Sequence, residues 1–495
     1  MIPVISPEHM REIDALCGVP EGVLIERAGR VVAEVARSML GGVYGRRVAV
    51  LAGPGNNGAD GRVAARILAG WGVRVRTIDV GHGTLPPARV DDVDLLIDAM
   101  FGTGAVRAVR CPEVGADTKV LAVDIPSGVD ALTGQVIDGS VPLRADVTVS
   151  FVAPKPGLLF EPGASFVGEL VIGDIGIGPT PGTVIRTQLL DEATVRSSLA
   201  HATVSSHKWK HAVLVVAGSP GMTGAAVLSA HGASRSGASL VRLAIPGGLH
   251  SGDEIVGVPL PSSGWASTAA EWAQRCAAVV LGPGLGSSES TRSQVRELLS
   301  VLAPEVPVIL DGDGLGAVTP SLLNALNRPI IVTPHDGEFR QLTGRPPGVD
   351  RIAAAVDLAV EANVVVLLKG PTTVVASPAG DVEVVREADQ RLATAGSGDV
   401  LAGVIAAFCA HGVPLVRAAS MAAFVHGRAA IRGRAVGLIA GDLPPLLADV
   451  LSDWAAEVST RRWRRRDWSH DDRAVPPHNR LDRPRSGSSQ HPRVR

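Results

Sequence analysis

Several things are scarce in this sequence, and each scarcity removes a class of protein. Only four cysteines occur in 495 residues, at Cys17, Cys111, Cys276 and Cys409. They lie far apart with no CxxC spacing, which argues against a zinc site and against a disulfide framework. No stretch approaches the 18 or so uninterrupted apolar residues of a membrane span, and the opening MIPVISPEHMREIDAL has neither the basic start nor the apolar run of a signal peptide. A soluble, cytoplasmic protein is therefore expected. Charge of one sign is also lacking, since the formal net charge is -2. Local balance differs at the end, where residues 461–495 hold eleven Arg against four Asp. Without apolar periodicity that stretch reads as a disordered appendage, and no nucleic-acid or membrane partner is expected from it.

What remains is rich in small and turn-forming residues: 57 Gly and 35 Pro beside a single Tyr, with 46% hydrophobic residues. This suits α/β units joined by tight turns. The length exceeds the roughly 250–300 residues at which single cores stop growing, so two domains are expected. Ser6 and Pro7 mark a helix start, and apolar residues recur at helical spacing to about Leu40, with a break near Cys17–Val23. Short apolar runs then alternate with helical or loop segments (46–53, 73–80, 93–101, 118–126, 145–152), and a strand pair around GELVIGDIGIG closes the unit. A passage from Pro179 to about Ser206 places the domain boundary near residue 195. The same rhythm restarts at HAVLVVAG and runs to NVVVLLKG, followed by small-residue helices, with order expected to end near Val458.

The unusual residues fall at strand ends, where ligands bind in open parallel sheets. After the first strand comes GPGNNGADG (53–61), a loop that can turn backbone N–H groups and a helix N-terminus towards a phosphate, or simply make a tight turn. Its two amides and an acid also offer oxygen ligands. Two further strand ends supply IDAMFGTG, with Asp98, and VDIPSGVD, with Asp124 and Ser127. Either Asp can also be read as a simple turn cap.

Together these three segments resemble the NAD(P)H-hydrate epimerase family over about residues 5–180. The resemblance implies a Rossmann-like three-layer α/β/α domain and a potassium ion carried by Asn57, Asp98 and Ser127. It implies substrate contacts at Asn56, Asn57, Gly58, Ala59 and Asp60, and at Gly102, Thr103, Gly104, Ala105, Val106, Arg107 and Ala108. It implies that Asp124 contacts the substrate and takes the acid–base role as the hydroxyl at C6 of the damaged nicotinamide ring inverts; Lys155 stands where the family often has a lysine that could stabilise charge, and reads equally well as a solvated lysine. Ala59 departs from the pattern, which usually has glycine there.

In the second half the informative stretch is TAGSGDVLAG (394–403), where glycines leave helix N-terminal N–H groups open to an anion and Asp399 sits in the first turn. A base beside an anion hole suits phosphoryl transfer to a hydroxyl; a capped helix is the bland alternative. This motif resembles the ribokinase-like superfamily. With GPGLG (282–286), LDGDGL (310–315), VTPHDGEFRQL (332–342) and LLKGPTTVVASP (367–378), it resembles the ADP-dependent NAD(P)H-hydrate dehydratase family over about residues 205–440. That likeness implies a ribokinase-like α/β/α domain, with Lys369, Gly370, Pro371, Thr372, Thr373 and Gly398 on the adenine nucleotide. Ala238, Gly284, His335 and Asp399 would contact the hydrated cofactor. It implies magnesium with ADP, Asp399 as base, and homo-oligomers. Gly312, Gly314 and Asp336 depart from the family pattern.

The expected organisation is an epimerase domain over 1–195, a dehydratase domain over 196–458 and an Arg-rich tail over 459–495. A small-molecule kinase fused to a Rossmann-like binding domain is the alternative. A non-enzymatic interaction module is a third reading of the N-terminal half, disfavoured by its retained Asn57, Asp98, Asp124 and Ser127.

Overall fold

The computed structural model describes residues 1–466 apart from 82–83, 105–106, 180–183, 200–206, 252–253 and 388, and side chains up to 455. The Arg-rich stretch 467–495 lies outside the described residues.

Two helices open the chain. The first, α1 (Pro7–Leu16), is capped by Ser6, whose hydroxyl accepts from His9 N–H, with proline in the first turn where no donor is missed. The second, α2 (Glu21–Leu40), ends at Gly41 in the left-handed region. The break falls where the sequence predicts it. Six parallel strands follow, in spatial order Arg74–Asp79, Arg47–Ala52, Leu95–Ala99, Lys119–Val123, Val147–Phe151 and Glu169–Gly173. The central ones are buried along their length and read as continuous apolar runs. One face packs on α2 and α3 (Asn56–Gly70) through Ala28, Val32, Ala36, Ala64 and Leu68. Strand order reverses between Arg47–Ala52 and Leu95–Ala99, so a crevice opens beyond their carboxyl ends. The strand pair expected around GELVIGDIGIG is a single strand. Asp174 Oδ1 accepts from Gly176 N–H and Gly176 takes φ +72°, turning the chain away before a second strand can form.

The second sheet has eleven strands. Seven are parallel: Val256–Leu260, Leu240–Pro246, Ala212–Val216, Ala278–Leu281, Val308–Leu310, Ile330–Val332 and Val365–Leu368. The hairpin strands Thr373–Ala376 and Val382–Val385 extend it antiparallel. Its last two strands come from elsewhere in the chain. Thr187–Leu189 pairs parallel with Val382–Val385, and Ile2–Pro3 pairs antiparallel with Thr187–Leu189. The sequence-based boundary near 195 therefore falls inside helix Glu192–Leu199, whose Val195 is buried in the second domain's core. The chain changes sheets between Gly173 and Thr187. Leu159 and Phe160 of the first domain also pack into the second domain's core, and Thr372 Oγ1 donates to the Leu159 carbonyl at 2.5 Å. The last helix, Leu443–Arg466, continues past the expected end of order at Val458.

Helix Ser397–Ala410, which carries Asp399, is buried on nearly every side and lies against helix Thr223–Arg235. Small residues make this approach possible: a Cβ on Gly403 would stand 2.0 Å from the Ser229 carbonyl oxygen. Gly403→Ala must therefore push the two helices apart. It is expected to lower the stability of the second domain by roughly 2–4 kcal/mol, read as a shifted urea midpoint.

Candidate active sites

The first site sits at the strand-order reversal. A cavity of about 750 Å³ is lined by α1, α2, the start of α3 and the loops after strands Leu95–Ala99 and Lys119–Val123. Close packing sets its floor, for a Cβ on Gly53 would fall 1.7 Å from the Met100 carbonyl. Asn57 and Asp60 face into it from α3, together with Gly102, Thr103, Gly104 and Asp124. Gly58 and Ala59 lie in the same helical turn, and Asn56 donates to Glu21 Oε1 at 2.7 Å. Ala59 is helical, so the departure from glycine costs no backbone strain. Arg107 and Ala108 are exposed and do not line the cavity; Ala105 and Val106 lie outside the described residues.

Asp124 adopts φ +65°, and Val152 in the neighbouring loop φ +68°. Positive φ is uncommon for Asp and an outlier for a β-branched residue, and such strain concentrates at functional sites. These two turns bring Lys155 onto Asp124. The ammonium donates to Asp124 Oδ1 at 2.6 Å, to Ser150 Oγ at 3.1 Å and to the Phe151 carbonyl at 3.0 Å, and Lys155 is 1% exposed. Burial, with Asp124 nearby, pushes the Asp60 carboxyl up to about 8, so it is largely protonated at neutral pH.

Beneath the cavity, Asp98 is fully buried. Its oxygens accept from Ser127 N–H (2.9 Å), Ser127 Oγ (2.7 Å) and Met100 N–H (3.3 Å). Burial raises its pKa against those hydrogen bonds, and no lysine or arginine pairs with it among the described residues. Asn57 is buried with neither Oδ1 nor Nδ2 hydrogen-bonded. A fully buried carboxyl group with no cationic partner among the described residues, and an amide whose polar atoms are both unpartnered, are oxygen donors that fit a cation.

The second site gathers at the carboxyl ends of the parallel strands. Lys369 follows strand Val365–Leu368 and pairs with Asp311 at 2.5 Å; Thr333 Oγ1 donates to the same Asp311 oxygen at 2.6 Å. Burial works against the Lys369 charge, but Asp311 and Glu338 raise its pKa above the ordinary value. Gly398 faces this ammonium so closely that a Cβ would lie 3.1 Å from Nζ. Asp399 is half-buried in the first turn of its helix; burial, then Asp311, push its carboxyl up to about 6 although Lys369 pulls the other way. Ser229 Oγ donates to the Asp399 carbonyl at 2.7 Å, fixing that turn.

Most of the other sequence-predicted residues gather here. His335 caps helix Asp336–Thr343, its Nδ1 accepting from Gly337 and Glu338 N–H, and remains exposed. Gly284 follows strand Ala278–Leu281. Thr372 spends its hydroxyl on Leu159, and Thr373 starts a buried strand. Gly370 lies against Arg351, whose guanidinium donates to the Lys369 carbonyl and pairs with Asp336 at 2.9 Å. The unusual acid at 336 is thus balanced by a cation that sequence reading overlooked. Gly312 takes φ +56°, a conformation glycine adopts without penalty, and Asp313 Oδ2 accepts from Gly286 N–H.

Ala238 requires a correction. It precedes strand Leu240–Pro246 and so lies at the amino-terminal edge of the sheet, opposite Gly284 and Asp399. Ala225, in the first turn of helix Thr223–Arg235, is the alanine facing Gly284, with its Cβ 3.0 Å from the Cβ position there. Both alanines stand in small-residue runs around one helix, and only the direction of that helix tells them apart.

Comparison with known proteins finds relatives for both halves of the chain. Residues 213–452 match the family model described as NAD(P)H-hydrate dehydratase, and residues 21–88 and 80–157 match that of the YjeF-related protein N-terminus. The bifunctional NAD(P)H-hydrate repair enzyme Nnr of Moorella thermoacetica is 35% identical, over 92% of this chain and 98% of that one. Its counterpart in Salinibacter ruber is 33% identical, over 93% and 98%. A solved ADP/ATP-dependent NAD(P)H-hydrate dehydratase from Bacillus subtilis is 29% identical over 55% of this chain and all of that one, with a TM-score of 0.47. With relatives at least 33% identical that cover 92–93% of this chain, and a family model on each half, the chain belongs to the bifunctional NAD(P)H-hydrate repair enzymes.

Proposed function

We propose that the N-terminal site interconverts the two C6 epimers of hydrated NADH and NADPH, and that the C-terminal site dehydrates the S epimer with ADP, giving AMP and phosphate. The observation that carries this reading is that each site sets a carboxylate, Asp124 or Asp399, beside a lysine at the mouth of a parallel sheet.

In the first site, C6 of the substrate bears both a hydroxyl and the ring nitrogen. Asp124 can relay a proton from that oxygen to the nitrogen as the C6–N1 bond opens, and back as it closes on the opposite face. Lys155 steadies the carboxylate in both states. Potassium would be held by Asn57, Asp98 and Ser127, and when bound supplies a positive charge that offsets the buried Asp98 carboxylate.

In the second site Asp399 takes the hydroxyl proton as the oxygen attacks the β-phosphorus of ADP and AMP departs. Lys369 and the N–H groups at the helix start near Gly398 receive the developing charge. Phosphate then leaves C6 as a proton leaves C5, restoring the ring double bond. Hydroxide is a poor leaving group and phosphate a good one, which is why a nucleotide is consumed. Among the described residues no group of three or more His, Cys, Asp or Glu could hold a metal, so magnesium would be carried mainly by the nucleotide phosphates, whose charge it offsets.

The test is an assay with both epimers, ADP and magnesium. Asp399→Ala is expected to cut recovery of reduced cofactor by about 10²–10⁴-fold. Asp124→Ala should leave the S epimer consumed at the parent rate, with the R epimer limited by its spontaneous interconversion. Equal rates for parent and variants would reject the assignment. A pH profile gives a second check. Asp399 acts as the carboxylate and its pKa lies at about 6, so dehydratase kcat/KM should fall about tenfold per pH unit below that value and level off above it.

A further inference from the structure

A second cavity, of about 490 Å³, adjoins the first and shares Arg11, Thr103 and Gly104 with it. It continues between Pro7 on one side and Leu132 on the other, and Leu132 is 41% exposed. The charge around the two cavities is lopsided. Among the described residues six carboxyl groups line them, at Glu8, Asp14, Glu21, Asp60, Asp124 and Asp130, against two cations, Lys155 and Arg11, and the acids still outnumber the cations with Asp60 largely protonated. Lys155 is buried and committed to Asp124. Arg11 is exposed; its Nε donates to the Pro7 carbonyl at 3.3 Å, and its terminal N–H groups make no hydrogen bond or ion pair among the described residues.

A dinucleotide brings two negative phosphates into this acidic surface. Favourable binding needs a cation between the ring and the adenosine, and a guanidinium is suited to that because it presents a planar fork to phosphate oxygens. Arg11 stands at the junction of the two cavities, one holding Asp124 and Lys155, the other offering Pro7 and Leu132 as apolar surface for a purine. Asp130 Oδ1 is occupied by Leu132 N–H, Thr133 N–H and Thr133 Oγ1. Its other oxygen accepts no hydrogen bond among the described residues and can take a ribose hydroxyl.

We propose that the second cavity takes the adenosine half of the dinucleotide substrate and that Arg11 binds its pyrophosphate. This rests on reading the first cavity as the epimerase site.

The experiment follows epimer interconversion by the full chain without ADP, so that the dehydratase is idle, and compares two substrates after subtracting the spontaneous rate. One is hydrated NADH; the other is hydrated dihydronicotinamide riboside, which has the hydroxylated ring and no phosphate. Arg11→Gln is expected to raise KM for hydrated NADH about tenfold, with kcat within about threefold of the parent, and to leave kcat/KM for the riboside unchanged. Arg11→Lys should restore part of the loss, since a point charge replaces the fork. An unchanged KM for hydrated NADH, or an equal loss on both substrates, would overturn the proposal while leaving the epimerase reading intact. A parent chain that interconverts neither substrate would overturn both.

Discussion

The proposed chemistry of both sites depends on holding a lysine ammonium against a carboxylate at the mouth of a sheet where water is largely excluded. Lys155 with Asp124 and Lys369 with Asp311 are such pairs, at 2.6 and 2.5 Å. Burying either charge alone would be costly, and breaking a buried pair by removing one partner typically costs about 3–5 kcal/mol. The fold meets this demand with further polar partners: Ser150 Oγ and the Phe151 carbonyl around Lys155, Thr333 Oγ1 on Asp311. The same arrangement sets the acidity of the neighbouring carboxyl. Around Asp399, burial and the acids Asp311, Glu338 and Asp313 raise it while Lys369 lowers it, leaving it at about 6, the value the proposed base would need.

The two sites share one framework. The segment that delivers Lys155 continues through Leu159 and Phe160 into the core of the second domain, and the Leu159 carbonyl receives the hydroxyl of Thr372 from the loop after Lys369. The first strand, Ile2–Pro3, closes the edge of the second sheet, and Ile5 N–H then donates to the Pro154 carbonyl in the first domain. These backbone and core contacts join the two domains through the same segments that place Lys155 and Lys369.

Much of this was legible in the sequence because it is written locally. Strand runs, the Ser6–Pro7 helix start, the break before Glu21 and the glycine loops all follow from period and turn chemistry, and the motifs place Asn57, Asp98, Ser127, Asp124 and Asp399 at strand or helix ends. What escaped is what depends on long-range partners. Nothing near Lys369 in sequence announces Asp311 or Thr333, and nothing near Asp336 announces Arg351. The short strands Ile2–Pro3 and Thr187–Leu189 give too little length for a periodic signal and acquire their identity from the strands beside them. The exchange of Ala238 for Ala225 has a similar cause: small-residue runs flank both ends of one helix, and composition does not say which end faces the strand mouths.

The central claim is that the C6 hydroxyl leaves as phosphate rather than as water. It is tested most directly with the S epimer of hydrated NADH carrying ¹⁸O in that hydroxyl, turned over once with ADP and magnesium, and mass analysis of the inorganic phosphate released. The account predicts one ¹⁸O atom per phosphate formed. Unlabelled phosphate, with the heavy oxygen recovered in water, would contradict it.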